Sequence, residues 1–505
     1  MTPVQKIALL SPALGIEPKV LQFLALQAAV FISVFAAFLA KTGHPVDAGI
    51  AATIAIDTFL AGLTTSIVVY RLSHWHPLAK YPGPRLAKIT KWYMSYWIAK
   101  GNQHLKLQEY MGLGCELDPM SSLLTIRLRC DPSTVKCFGL GSIRDADALI
   151  TTNDAAEHAS RLIVGFPRLA IISELIVLTI GMEQSLLIEN LKIYRAQAKV
   201  RTAQLLDIVD AISKEKTALS LSHWISLWGI DVMGDMAFSG GFETMSAGKD
   251  AEGWMEVLHM GTLFVGVLGQ VPWMRDILAL APSPGPILTF QQFAGKKVEE
   301  TSHKNAGMRQ DILGIIQDES SGGPKLSKFQ AAADASFIVL AGSDTVSEAM
   351  AALMRYLTGH REIQEALRMI PPVAAGPPRW NGDEPARILD QYIPPGTSAA
   401  CPVFTMHHDS RNFADPDSFR PERWLNGGIG APHTTDAFVP FRYGPGVCIG
   451  KPVALYNMKL LTATIIRSFD LSFPDGFDVN KFDASYKEHN LWVHGDLMVK
   501  LNSLV

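Results

Sequence analysis

Residues 438–454 read FVPFRYGPGVCIGKPVA (Phe438 to Ala454), and the meaning of this stretch decides the fold. A single cysteine, Cys448, sits in a loop of glycines and a proline, and the apolar run that follows, Val453 to Leu461, predicts a helix. A helix opening just past Cys448 directs its positive end at the sulfur and favours a thiolate. The other four cysteines, Cys115, Cys130, Cys137 and Cys401, have no comparable surroundings, and no pair has C-x-x-C spacing. They read as inert thiols in a reducing compartment, which argues against zinc ribbons and thioredoxin-like redox motifs.

A hundred residues upstream, Ala333 to Leu357 reads ADASFIVLAGSDTVSEAMAALMRYL. Its periodicity predicts a long helix, interrupted at Gly342, Ser343, Asp344 and Thr345, where small residues and hydroxyls can open the i→i−4 ladder. An oxygen-activating site needs such a notch, for space and for a hydroxyl that relays protons, although the stretch taken alone also suits an ordinary packed helix. Between the two segments, Glu365 and Arg368 share a helix face, and Arg423 in Pro421-Glu422-Arg423-Trp424 completes a candidate buried charge network.

These segments together resemble cytochromes P450. Phe441, Gly444, Cys448 and Gly450 match the family's haem-binding loop, and Ala341 to Thr345 resembles its oxygen-binding motif, which implies Thr345 in the proton-relay role and Asp344 as its acid neighbour. The ordered stretches Ile393 to Thr397, His408-Asp409, Phe413 to Pro416 and Phe419 to Trp424 match its C-terminal half. The resemblance implies a mainly α fold with small β-sheets and a haem b whose iron takes Cys448 as axial thiolate ligand. Gly444, Gly446 and Gly450 then clear space for the porphyrin. Arg379 falls at the family's propionate-binding arginine, and Arg442 stands near the position of a second basic residue, which here is Gly446.

The implied reaction inserts one oxygen atom of dioxygen into a lipophilic small molecule. Electrons come from NADPH through NADPH-cytochrome P450 reductase, and the cofactor carries the chemistry. The resemblance is to membrane-bound fungal enzymes of specialised metabolism, which often act on terpenoid or polyketide scaffolds. Two departures support a rival reading, a P450-like protein with impaired or no catalysis. Only 19 residues separate Thr345 from Glu365, where the family has a further helix, and no tryptophan lies in RLIVGFPRLAIISELIVLTIGMEQSLL, residues 161–187.

The N-terminus carries two apolar stretches, Leu21 to Ala40 and Ile50 to Tyr70, each long enough to cross a hydrocarbon core of roughly 30 Å. Asp57 is an expensive residue in the second, so its carboxyl is protonated, faces another helix, or lies in a segment that does not span. Arg71, Lys80, Arg85, Lys88 and Lys91 place the following side in the cytosol, whether the chain spans once or twice. Neither stretch has the basic leader of a signal peptide. The expected division is an anchor and hinge over 1–80, ending near Tyr81-Pro82-Gly83-Pro84, and a haem domain over 81–505 on the cytosolic face of the endoplasmic reticulum. The 505-residue chain is 48% hydrophobic with net charge −3. Its mean hydropathy is +0.16. No basic stripe points to nucleic acid.

Overall fold

The computed structural model describes residues 20–76, 79, 83–112, 118–120, 125–127, 188–215, 217–240, 242–271, 274, 285–303, 311–316, 328–357, 363–376, 379–380, 384–388, 391–425, 432–443 and 447–504. The tryptophan-free stretch 161–187 and residues Gly444 to Gly446 lie outside them.

Two apolar helices open the chain, α1 (Val20–Thr42) and α2 (Pro45–Leu72). They pack side by side across the Gly43-His44 turn, where Gly43 takes φ +71°. Ala48, Ala52 and Phe59 form the buried seam of α2, while Asp57 is on its exposed face. Packing against α1 therefore does not shelter that carboxyl. The Arg71 guanidinium donates to the Ile89 carbonyl at 2.9 Å and ties the end of α2 to α3 (Arg85–Ile89). Next come α4 (Trp92–Ala99) and α5 (Gln103–Gly112), followed by the paired strands β1 (Asp118–Met120) and β2 (Thr125–Arg127).

The main core assembles from α6 (Ile188–Lys214), β3 (Leu219–Ser220), α7 (Leu221–Phe238), α8 (Thr244–Ala247), α9 (Trp254–Gly269), α10 (Gly285–His303) and α11 (Ile312–Ile316) around α12 (Lys328–Leu357). α12 is long and apolar enough to cross a membrane, but most of its surface is buried, which makes it the spine of the core. Ala335, Val339, Val346, Met350 and Leu353 form its buried stripe. α7 approaches it closely because each helix offers a glycine. A Cβ on Gly229 would strike Ser347 Oγ, and one on Gly342 would strike Met233.

The expected interruption of this helix is absent. α12 runs unbroken through Gly342 to Thr345. The hydroxyls bend back instead, Ser343 to the Val339 carbonyl at 2.7 Å and Thr345 to the Ala341 carbonyl at 2.6 Å. Such bonds add to the ladder without breaking it.

After α13 (Ile363–Met369) the chain turns irregular, as its prolines require. Strands β4 (Arg379–Trp380) and β7 (Ser398–Ala399) complete the sheet β1-β2-β7-β4, and β5 (Ala386–Ile388) pairs with β6 (Gln391–Ile393). α14 (Val403–His407) and the 3-10 turn Pro421–Trp424 lead to the cysteine loop and α15 (Lys451–Ser468). Antiparallel β3-β11-β8 then joins β8 (Phe469–Ser472) and β11 (Met498–Ser503) to the core. Between those strands lie α16 (Val479–Ser485) and the hairpin of β9 (Lys487–Glu488) with β10 (Trp492–Val493).

That hairpin reaches back to the first helices. The Glu488 amide donates to the Gly101 carbonyl at 2.8 Å, and His489 Nδ1 donates to the Ile98 carbonyl at 2.7 Å. The Glu488 side chain is fully buried, with the Asn490 amide donating to one oxygen at 2.9 Å. Burial pushes its carboxyl up to about 7, against the pull of the Asn490 and His104 amides. The folded state thus holds a proton that the unfolded chain releases near pH 4.5. Stability falls as pH rises from there through about 7, then levels. Glu488→Gln is expected to flatten this slope and to stabilise the protein at pH 8 by up to about 3 kcal/mol. Melting temperatures measured between about pH 5 and pH 8 test it; an unchanged slope would exclude Glu488 as its source.

Candidate active site

The cysteine loop is shaped by backbone contacts before any side chain acts. The Arg442 amide donates to the Val439 carbonyl at 3.0 Å, and the Cys448 amide closes the loop on the Phe441 carbonyl at 2.8 Å. Arg442 takes φ +67°, a left-handed conformation that is unusual for a residue with a side chain. Phe441 is half-buried against the main core, and the Lys451 ammonium lies 5.8 Å from its ring centre.

Gly450 caps α15, with Pro452 at the helix start, so the helix N-terminus opens beside Cys448. The Lys451 amide donates to the Cys448 carbonyl at 3.3 Å, and the Gly450 and Lys451 amides lie near enough to the thiol to favour its ionised form. The thiol reaches solvent, yet enough protein crowds it that burial raises its pKa above the ordinary value. Those two amides and the charges of Arg442 and Lys451 pull the other way. A Cβ on Gly450 would grow 3.8 Å from Sγ, alongside the sulfur. An accessible sulfur with neighbouring N–H groups, nearby cations and no side chain at its flank fits an axial thiolate ligand.

On α12, Ala341 is exposed and Thr345 is half-buried, although the helix is otherwise enclosed. A short open surface therefore borders the Thr345 hydroxyl. That hydroxyl gives its proton to the Ala341 carbonyl, which leaves its lone pairs able to accept. Asp344 is buried, and burial pushes its carboxyl up to about 6 while His259 draws it down. α12 and α15 share one core, where the Thr462 hydroxyl contacts Met350 Sδ at 3.8 Å.

The charge network is complete. Glu365, Arg368 and Arg423 are fully buried. Glu365 accepts from Arg368 Nε at 3.0 Å and Nη2 at 2.9 Å, from Arg423 Nε at 3.0 Å, from Trp424 Nε1 at 2.9 Å and from the Arg420 amide at 2.9 Å. The remaining guanidinium donors reach the carbonyls of His407, Ala414, Asp415, Pro416 and Ser418. Burial works against ionisation of Glu365, but Arg368, the Arg420 amide and Trp424 together outweigh it and hold the carboxyl below the usual range.

His407 was not visible as a site residue in the sequence. Its Nδ1 donates to the Arg368 carbonyl at 3.1 Å and its Nε2 accepts from the Val439 amide at 3.1 Å. One neutral imidazole thus connects the charge network to the base of the cysteine loop. Burial keeps it neutral, well below its ordinary pKa.

Phe441, Arg442, Cys448 and Gly450 lie in one loop, and Asp344 with Thr345 forms the open turn of α12. Arg379 opens β4, paired through its backbone with Ala399 of β7. α12 ends at Leu357 and α13 begins at Ile363, so residues 358–362 alone join them.

A family model described as "Cytochrome P450" matches residues 339–490, a span holding Thr345, the charge network and Cys448. Among curated proteins, "Cytochrome P450 67" of Uromyces fabae is 26% identical, covering 94% of this chain and 93% of that protein. "Tryprostatin B 6-hydroxylase" of Aspergillus fumigatus is 25% identical over 86% of this chain and 83% of its own. "Cytochrome P450 monooxygenase FCK2" of Fusarium pseudograminearum is 26% identical over 83% of each. Fold, loop and likeness define the class, a haem-thiolate monooxygenase. The chain is similar to fungal cytochromes P450, over most of its length in these relatives and over residues 339–490 in the family model.

Proposed function

We propose that Cys448 is the axial thiolate ligand of haem b, and that the enzyme oxygenates a lipophilic small molecule of fungal specialised metabolism, of terpenoid or polyketide type. The observation that carries this reading is an accessible Cys448 in a backbone-closed loop immediately before the N-terminus of α15. Phe441, Gly444 and Gly450 would form the cradle, and Arg379 and Arg442 would hold the propionates. When bound, the haem supplies activation of dioxygen and transfer of one oxygen atom.

The chain's own residues do the rest. Cys448 supplies charge to the iron, tuned by the amides near it. Thr345 accepts and passes a proton at Oγ1, and Asp344 supplies it. Electrons come from NADPH through a cytochrome P450 reductase. Residues 1–80 form the membrane anchor and hinge, and 81–505 form the catalytic domain on the cytosolic side of the endoplasmic reticulum. The apolar α1–α2 pair and the basic residues after it support this placement. The relative named for tryprostatin B hydroxylation supports a small-molecule substrate.

The test is a reduced, carbon monoxide-treated difference spectrum of the full-length protein expressed with haem precursor. The red-shifted Soret band of a thiolate-ligated haem is expected; a band at the position of histidine-ligated haem, or no band, would refute the assignment.

A further inference from the structure

Glu348 lies one turn beyond Asp344 on the same face of α12, and both side chains are more than nine-tenths buried. Among the described residues, Asp344 Oδ2, Glu348 Oε2 and the Tyr486 hydroxyl have no aligned hydrogen bond. An unsatisfied buried polar group costs about 1–3 kcal/mol, so packing alone does not account for two such carboxyls on the spine of the core.

Their neighbours explain the arrangement. Glu348 Oε2 lies 3.2 Å from His494 Nε2, and Asp344 Oδ2 lies 4.0 Å from His259 Nε2. His494 Nδ1 is 2.6 Å from the Gly495 carbonyl, which can only accept. The hydrogen therefore sits on Nδ1, and Nε2 presents a lone pair to Glu348. A carboxylate would repel that lone pair, whereas a carboxylic acid can donate to it. Burial and the charge of Asp344 agree, holding Glu348 well above the ordinary carboxyl range, and burial lowers His494. Asp344, at about 6, is mostly ionised at neutral pH and ready to accept a proton.

We propose that Glu348, oriented by His494, is the proton store that recharges Asp344 during turnover. This rests on the reading of Asp344 and Thr345 given above. The Glu348 O–H bond breaks and an O–H bond forms on the Asp344 carboxylate, directly or across one water. The Glu348 carboxylate then regains a proton from solvent at the exposed Gly495-Asp496 turn beside His494. Glu348 acts only through Asp344 and is thus a positioning residue. The groups around the pair are His259 of α9, His494 and Asp496 of the turn before β11, and Tyr486 after α16. Beyond Tyr486 stands the Arg355–Asp483 ion pair at 2.6 Å.

The test uses the full-length haem-loaded protein with reductase, comparing Glu348→Gln, Glu348→Asp and Thr345→Ala. Infrared titration should show a protonated-carboxyl band that outlasts the ionisation of Asp344 in the parent and vanishes in Glu348→Gln, while the Asp344 band still titrates near 6. The carbon monoxide spectrum should be unchanged. The proton-requiring step should slow about tenfold in Glu348→Gln, less than a direct general acid contributes, with more hydrogen peroxide per NADPH and a larger solvent deuterium effect. Glu348→Asp should restore part of the loss. Loss of the infrared band with unchanged peroxide yield, or a band that survives Glu348→Gln, overturns the proposal if Thr345→Ala raises peroxide. If Thr345→Ala leaves peroxide unchanged, the reading of Thr345 falls and this inference falls with it.

Discussion

Cys448→Ala is expected to abolish the thiolate-haem spectrum and all turnover together while leaving the fold in place. The sulfur is at the surface of a loop closed by backbone, since the Cys448 amide bonds the Phe441 carbonyl whatever the side chain. Removing an exposed thiol costs little packing, and surface changes of this kind usually stay within about 0.5 kcal/mol. A haem bound at the proposed site would then lack the loop's thiolate donor. Cys401 offers no replacement, because it packs with Val403, Met406 and Val439 and its thiol contacts Met406 Sδ at 2.8 Å. Far-ultraviolet circular dichroism with haem content per chain separates the two effects. A variant that keeps the parent spectrum would show that another residue ligates the iron.

How much of this was legible beforehand depended on the range of the interaction. The cysteine loop, the α12 periodicity and the α1–α2 pair are local patterns, and the structure places each in the expected element. Glu365 and Arg368 could be paired from their spacing, and Arg423 joined them through the order of the intervening segments. The notch expected in α12 does not form. Small residues and hydroxyls permit a break, but back-bonding to Val339 and Ala341 kept the ladder whole. Glu348 with His494, and Glu488 with the Asn102 region, are contacts between residues far apart in the chain. No local period announces them. The one available signal for Glu348 was a second carboxyl in an apolar helix, one turn after the first. His407 was hidden by its neighbour His408, which occupies the recognisable motif, although His407 carries the connection to Val439.

The second large effect is expected at Glu365. Glu365→Ala leaves Arg368 and Arg423 fully buried beside each other without their shared carboxylate. Breaking a buried ion pair from one side costs about 3–5 kcal/mol. Against a total stability of about 5–15 kcal/mol, that is enough to lower the yield of folded protein sharply. The carbonyls of His407, Pro416 and Ser418 still receive Arg368, so the guanidinium stays hydrogen-bonded but loses its counter-charge. Glu365→Gln keeps the shape and one good acceptor and should lose less. Because His407 carries the Arg368 position to Val439, disorder in the network should reach the cysteine loop. Haem retention is therefore expected to fall further than the melting temperature alone would require. Acid should act similarly in the parent. Glu365 is held below its unfolded pKa, so its stabilisation is present above that value and is lost as pH falls through the folded one. Thermal melts and haem-release rates of Glu365→Ala and Glu365→Gln decide the matter. Melting within a degree or two of the parent, with haem retained, would mean that the two arginines are satisfied by backbone carbonyls alone.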